Sequence, residues 1–142
     1  MTQKLNRKPY PTAEDLQIAQ TDAQALKGFT GVKRVVLATA YSLAGLKAAF
    51  QKEAAFRQLL LMALVLIPLA FTLDVVRVER ALLVGVVVLA LIIELLNSAI
   101  ESTVDRISLE LHPLSKQAKD MGSAAQLLTL GMIFLTWTII LV

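Results

Sequence analysis

Three apolar stretches decide what this chain can fold into. Leu59–Val76 reads LLLMALVLIPLAFTLDVV, Ala81–Ile100 reads ALLVGVVVLALIIELLNSAI, and Met121–Val142 reads MGSAAQLLTLGMIFLTWTIILV. A helix needs about 20 mostly apolar residues to cross a bilayer, and each stretch approaches or meets that length. Packed instead as the core of a water-soluble domain, three such stretches within the last 84 residues would leave too little polar surface to cover them. The apolar share of the whole chain, 56%, agrees. The expected fold is an all-α membrane protein with three transmembrane helices.

The basic residues set an orientation, because lysine and arginine concentrate on the cytoplasmic side of membrane proteins. Lys4, Arg7, Lys8, Lys27, Lys33, Arg34, Lys47, Lys52 and Arg57 precede the first span. Arg106, Lys116 and Lys119 lie between the second and third, and only Arg77 and Arg80 between the first and second. This places the N-terminus in the cytoplasm and the C-terminus outside it. The net charge of +3 is spread along the membrane flanks, and no nucleic-acid partner is expected.

Residues 1–30 are polar, with prolines at 9 and 11, and read as a mobile tail with at most a short helix begun by Thr12. They lack the apolar core and small-residue cleavage site of a signal peptide. Residues 31–142 read as one membrane domain. Within it, a helix over about 32–57 carries apolar residues at helical spacing (Val35, Val36, Tyr41, Leu43, Leu46, Phe50, Ala54) with basic residues between them. That pattern suits a helix lying in the membrane interface. Transmembrane helices are expected over about 59–76, 81–105 and 116–142, the last capped by Ser115.

Several chemistries are excluded at once. Cysteine is absent and there is one histidine, so disulfides, thiol nucleophiles, and cysteine or histidine-rich metal centres are ruled out. No GxxxxGKS/T or GxGxxG occurs, so any nucleotide is handled without a Walker lysine.

The second span ends in LIIELLNSAIESTVDR (91–106), where an apolar run takes in carboxylates without stopping. Glu94, Asn97, Glu101 and Asp105 follow one another at helical spacing and share a sector of roughly 80°. A rise of about 1.5 Å per residue puts Glu94 roughly 16 Å from Asp105 along the axis. With Asp105 near the cytoplasmic surface, Glu94 lies well inside the inner leaflet. Ionisable groups there face a bundle interior or a cavity and mark function. Three acids on one face repel unless a cation compensates them, and Mg²⁺ shared between carboxylates and substrate phosphates is one such arrangement. The polar groups gather at one membrane face, which argues against an ion or proton path across the bilayer.

These residues resemble a known family. EAAFRQ (53–58), ELLNSAIESTVDRIS (94–108) and LSKQAKDMGSAA (114–125) are similar to the small integral-membrane diacylglycerol kinases of bacteria, and RVVLATAYSLAGLKAAF (34–50) looks like that family's surface helix. The resemblance runs from about Gly28 to the C-terminus. It implies a homotrimer with three transmembrane helices and one surface helix per chain. The implied activity is ATP- and Mg²⁺-dependent phosphorylation of diacylglycerol to phosphatidic acid at the cytoplasmic face.

Carried over residue by residue, the resemblance makes Glu53 and Glu101 the metal-binding pair and Glu94 the base that accepts the lipid hydroxyl proton, with Asn97 beside it. Lys119 matches a phosphate-contacting lysine, and Asp105, Asp120 and Tyr41 match residues around ATP. Arg34 and Gln58 match polar positions near the lipid or the nucleotide, and Ser123 a position near the lipid head group. Leu59 stands where some relatives carry a further acid, and Leu43 where an aromatic is expected. Two other readings stay open: an undecaprenol kinase of the same fold, and a non-enzymatic scaffold or ion-conducting oligomer.

Overall fold

The computed structural model describes residues 32–108, 110 and 112–142; the expected N-terminal tail lies outside them. Four helices follow in order: α1 (Val32–Lys52), α2 (Ala54–Thr72), α3 (Arg77–Ile107) and α4 (Pro113–Leu141). There is no strand among the described residues, and α2, α3 and α4 are each long and apolar enough to cross a membrane. The fold is therefore all-α, with three membrane-spanning helices. The chain divides into two units, residues 1–43 and 44–142. The described part of the first is the opening of α1, where Val32, Val35, Val36, Tyr41 and Leu43 are all exposed.

The surface helix stops at Lys52, whereas the apolar periodicity predicts a helix to residue 57. Glu53 has extended backbone (φ −102°, ψ 114°) and Ala54 starts α2. Arg57, the fourth residue of α2, reaches back and donates through Nη1 to the carbonyls of Phe50 (3.1 Å) and Gln51 (3.4 Å). The last carbonyls of a helix have no partner within it, so an arginine there completes the end and complements the dipole.

The same device closes the joint between α2 and α3. α2 ends at Thr72, four residues before the expected limit, with Leu73 extended. Arg80, the fourth residue of α3, donates from Nε to the Ala70 carbonyl (3.1 Å) and from Nη2 to Leu73 (3.0 Å) and Val75 (3.4 Å). Glu79 accepts the Val76 backbone N–H at 3.0 Å and covers the opposing helix start. Pro68 stands inside α2 without interrupting it.

α4 begins at Pro113, earlier than the cap expected at Ser115. His112 is the cap, its Nδ1 accepting from Leu114 N at 3.2 Å. Proline suits the first helical position because its missing N–H would be unpaired there anyway.

α3 is the middle helix, packed on α2 and on α4. Leu59, Ala63 and Ala70 of α2, Leu83, Val86, Val87 and Ala90 of α3, and Ile133 and Trp137 of α4 form one core. The outward faces stay apolar, with Leu61, Leu64, Val65 and Phe71 on α2 and Leu127, Leu128, Phe134 and Ile139 on α4 exposed. A helix apolar on every side belongs in lipid or against other helices, which is the environment these faces require. At 31 residues α3 is about 46 Å long, well beyond the ~30 Å hydrocarbon core. Its surplus length carries Glu101 to Ile107 toward the membrane surface.

Candidate active site

α3 presents the acidic stripe in graded burial. Glu94 is 4% exposed, although it continues the buried apolar line of Leu83, Val87 and Ala90. Asn97 and Glu101 are half-buried and Asp105 is exposed. Asn97 Nδ2 donates to Glu101 Oε1 at 3.2 Å, one turn apart on the same helix. Glu94 has no hydrogen-bond partner among the described residues. The carboxylates of Glu101 and Glu53 both act on it electrostatically. The break after α1 thus carries Glu53 to the neighbourhood of the stripe on α3.

α4 supplies the basic side. Lys119 Nζ pairs with Asp105 Oδ1 at 2.6 Å, tying the start of α4 to the end of α3. Lys116 and Asp120 form a second pair on the exposed face of α4. Three residues beyond Lys119, Gly122 allows the two helices to close. A Cβ at 122 would overlap Asn97 Oδ1 and lie 3.1 Å from its Cγ. The Asn97–Gly122 contact is a seam with a different surface on each side.

On one flank an apolar groove of about 380 Å³ runs between Ile93, Leu96 and Ile100 of α3 and Met121 and Ala125 of α4, with Asn97 at its edge. At the membrane-surface end, a cavity of about 630 Å³ has a largely apolar surface formed with Val104 and Pro113, and Asp105, His112, Lys119 and Asp120 bring polar and charged groups to it. That volume falls in the range of small-molecule and cofactor sites. A third recess, in the first unit, runs along Arg34, Val35, Ala38, Thr39 and Ser42 of α1.

The donor set bears on a metal ion. Among the described residues, no three histidine, aspartate or glutamate side chains converge as a metal cage. The carboxylates of Glu53 and Glu101 both bear electrostatically on that of Glu94, and Lys119 is already paired with Asp105. Such a set suits an ion held by one or two carboxylates together with a ligand's phosphates, as Mg²⁺ commonly is.

Of the residues singled out by sequence, Glu94, Asn97, Glu101 and Asp105 form one ladder of positions along α3, with Asn97 bonded to Glu101 and Asp105 paired with Lys119 of α4. Glu53 joins it through the field it exerts on Glu94. Asp120 borders the membrane-surface cavity. Ser123 on α4 and Gln58 on α2 are exposed. Arg34 and Tyr41 belong to the first unit, both exposed on α1. Sequence reasoning passed over Gly122, whose signal is the run of small residues GSAA in an otherwise bulky helix. It also passed over Arg57 as the joint-closing residue, and His112 and Ser108 as cavity walls.

The fold and this ladder define a helical membrane protein with a polar, charge-bearing site at one end of its bundle. Comparison with known proteins identifies the family. The model of the prokaryotic diacylglycerol kinase family matches residues 40–141. A diacylglycerol kinase of Pseudomonas aeruginosa is 68% identical over 115 residues, covering 81% of this chain and 94% of the relative. The Escherichia coli diacylglycerol kinase is 49% identical over 112 residues (79% of this chain, 92% of the relative). A Helicobacter pylori diacylglycerol kinase is 48% identical over 110 residues (78% and 83%). The chain belongs to the prokaryotic diacylglycerol kinase family and is an enzyme, a membrane-bound lipid kinase. A kinase requires a nucleotide phosphoryl donor.

Proposed function

We propose that this protein transfers the γ-phosphoryl group of ATP to diacylglycerol, giving phosphatidic acid and ADP, with Mg²⁺. The observation that carries the reading is the ladder itself. It runs from a cavity at Asp105 and Lys119, through Glu101 and Asn97, to a carboxylate buried at the level of the lipid. A reaction joining a water-soluble donor to a bilayer-bound alcohol needs such a descent.

The roles follow from position. Lys119, at the cavity, contacts the phosphates and neutralises charge that develops during transfer. Asp105 holds Lys119 in place, and Asp120 lines the same cavity beside the nucleotide. Glu53 and Glu101 would hold Mg²⁺, which would supply positive charge to offset that of the donor's phosphates. Glu94, deeper in the membrane, accepts the proton of the lipid hydroxyl as that oxygen attacks the γ-phosphorus. The bond between the γ-phosphorus and the ADP oxygen breaks as the new P–O bond forms. Asn97 orients Glu101 and borders the groove. Tyr41 and Arg34 on the surface helix, with Gln58 and Ser123, contact ATP or the lipid head group.

We assign the working form as a homotrimer. The exposed apolar faces of α2 and α4 leave room for neighbouring copies, and the repulsion among Glu53, Glu94 and Glu101 calls for an added cation. The distribution of lysine and arginine supports an inner-membrane protein with its N-terminus and site toward the cytoplasm. The catalytic domain is assigned to residues 31–142.

The test is phosphate transfer by the purified protein in mixed micelles with MgATP. Diacylglycerol is the expected acceptor; preferential transfer to undecaprenol would move the chain to the other branch of the fold. No ATP consumption with either lipid would support the scaffold reading.

A further inference from the structure

Gln126 is a polar side chain for which the reaction described above has no use. It stands in the apolar part of α4, one turn beyond Gly122, and both its amide nitrogen and its amide oxygen are buried without a hydrogen-bond partner. Asn97 on α3 carries a matching deficit. Its Nδ2 is engaged by Glu101, while its Oδ1 is buried and unpaired. Unmet hydrogen-bonding groups are costly in a membrane, where water cannot reach them.

The register of the two helices brings these groups to one level. Lys119 pairs with Asp105, and three residues further along α4 Gly122 meets Asn97, eight residues earlier on α3. The helices are therefore antiparallel. With a common rise of about 1.5 Å per residue, the same register carries Gln126 to the level of the Glu94–Asn97 turn. Seven residues after Lys119, Gln126 also returns to within about 20° of the same face of α4. It is absent from the walls of the apolar groove on the other side of the seam. Thr129, the next polar residue along α4, is committed to the Ala125 carbonyl at 2.9 Å.

We propose that Gln126 is a positioning residue of the site, its amide nitrogen donating to Asn97 Oδ1 and so holding the Asn97 amide with Nδ2 toward Glu101. An asparagine amide has two orientations, related by a half-turn that exchanges oxygen and nitrogen. With Nδ2 toward Glu101, the carboxylate has a donor and the oxygen faces Gln126 Nε2, also a donor. In the reverse orientation an oxygen faces the carboxylate and two N–H groups face each other. The acceptor-only carboxylate selects the first orientation, and Gln126 Nε2, by satisfying the oxygen on the other side, holds the amide in it through the chain Gln126–Asn97–Glu101. This inference rests on the assignment of Glu101 to the metal–phosphate centre.

The test uses the full-length protein in mixed micelles, with Gln126→Leu, Asn97→Ala, their combination and Glu101→Gln. Leucine keeps the bulk and is native to membrane helices. Gln126→Leu is expected to raise the KM for MgATP about fivefold, with the KM for diacylglycerol unchanged, and to add nothing further in the Asn97→Ala background. Additive effects, or a wild-type KM for MgATP in Gln126→Leu, would overturn the proposal. So would a change confined to the diacylglycerol KM, which would make Gln126 a lipid contact. A lower melting temperature with unchanged kinetics would leave it a packing residue and overturn the proposal equally. Glu101→Gln separates the two levels of failure. Unchanged MgATP kinetics there overturn the site assignment together with this proposal. A weakened Glu101→Gln beside an unchanged Gln126→Leu overturns the proposal alone.

Discussion

Gly122 of α4 and Asn97 of α3 are in such close apposition that a single added methyl group at 122 would overlap the asparagine amide oxygen. The two helices meet where the acidic stripe passes from the membrane surface into the bilayer, so the absence of a side chain at 122 sets the position of Asn97. In an isolated helix, alanine is favoured over glycine by about 1 kcal/mol. Here Gly122→Ala must push Asn97 or part the helices. We expect the variant to insert and purify normally but to lose about 10- to 100-fold in kcat, the effect of a displacement near 1 Å in a reacting constellation. Activity at or above the wild-type level would show that the seam tolerates separation and that Asn97 does not need its present place.

Glu94 and Glu101 are predicted to fail differently. In the proposed mechanism Glu94 acts only in the chemical step, so Glu94→Gln should lose turnover while largely keeping MgATP binding. Glu101→Gln removes a ligand of the metal–nucleotide and should weaken MgATP binding as well as turnover. Binding of MgATP by calorimetry alongside steady-state rates separates the two. Near-normal activity of Glu94→Gln would remove it from the role of base.

Glu94, Asn97, Glu101 and Asp105 were legible in the sequence because they repeat at helical spacing inside one apolar run, and a polar face there has few structural uses. The three spans were legible for the same reason, being set by length and hydropathy. The joints were not. Nothing marks Glu53 as a helix break, since neither glycine nor proline stands there. The break depends on Arg57 reaching back over the preceding turn to Phe50 and Gln51. Nor could the sequence place Gly122 against Asn97. That contact depends on the register of two helices joined by a turn, and register is fixed by packing across the seam. The resemblance singled out Glu53, and only the chain's path after the break accounts for its position near Glu94.

The Lys119–Asp105 pair offers a clean separation of function from stability. The two side chains are 37% and 49% exposed, and a pair so open to solvent contributes about 1 kcal/mol or less to folding. In its proposed role as the phosphate-contacting cation, however, Lys119 is worth far more in the transition state. Lys119→Met should lower kcat/KM for MgATP about 100-fold or more, with little change in melting temperature. Asp105→Asn, which frees Lys119 without removing it, should cost less. A large stability loss with modest kinetic change would make the pair a structural tie between α3 and α4.

The two arginine joints should show the opposite balance from each other. Arg80 is part-buried and covers three carbonyls at the end of α2. It stands 14 residues before Glu94, about 21 Å away along α3. Arg80→Ala should destabilise the protein by about 1–3 kcal/mol, through carbonyls left without donors, and leave kcat of the folded fraction intact. Arg57 covers two carbonyls at an exposed joint, so its loss should cost less stability. It is also what fixes the break that directs Glu53 toward Glu94. Arg57→Ala should therefore lower activity and raise the Mg²⁺ concentration needed for half-maximal rate. Unfolding in a denaturing-detergent titration, with rates measured across Mg²⁺ concentrations, would rank the two variants. If Arg57→Ala proved the more destabilised and Arg80→Ala the less active, Glu53 would not owe its position to the joint.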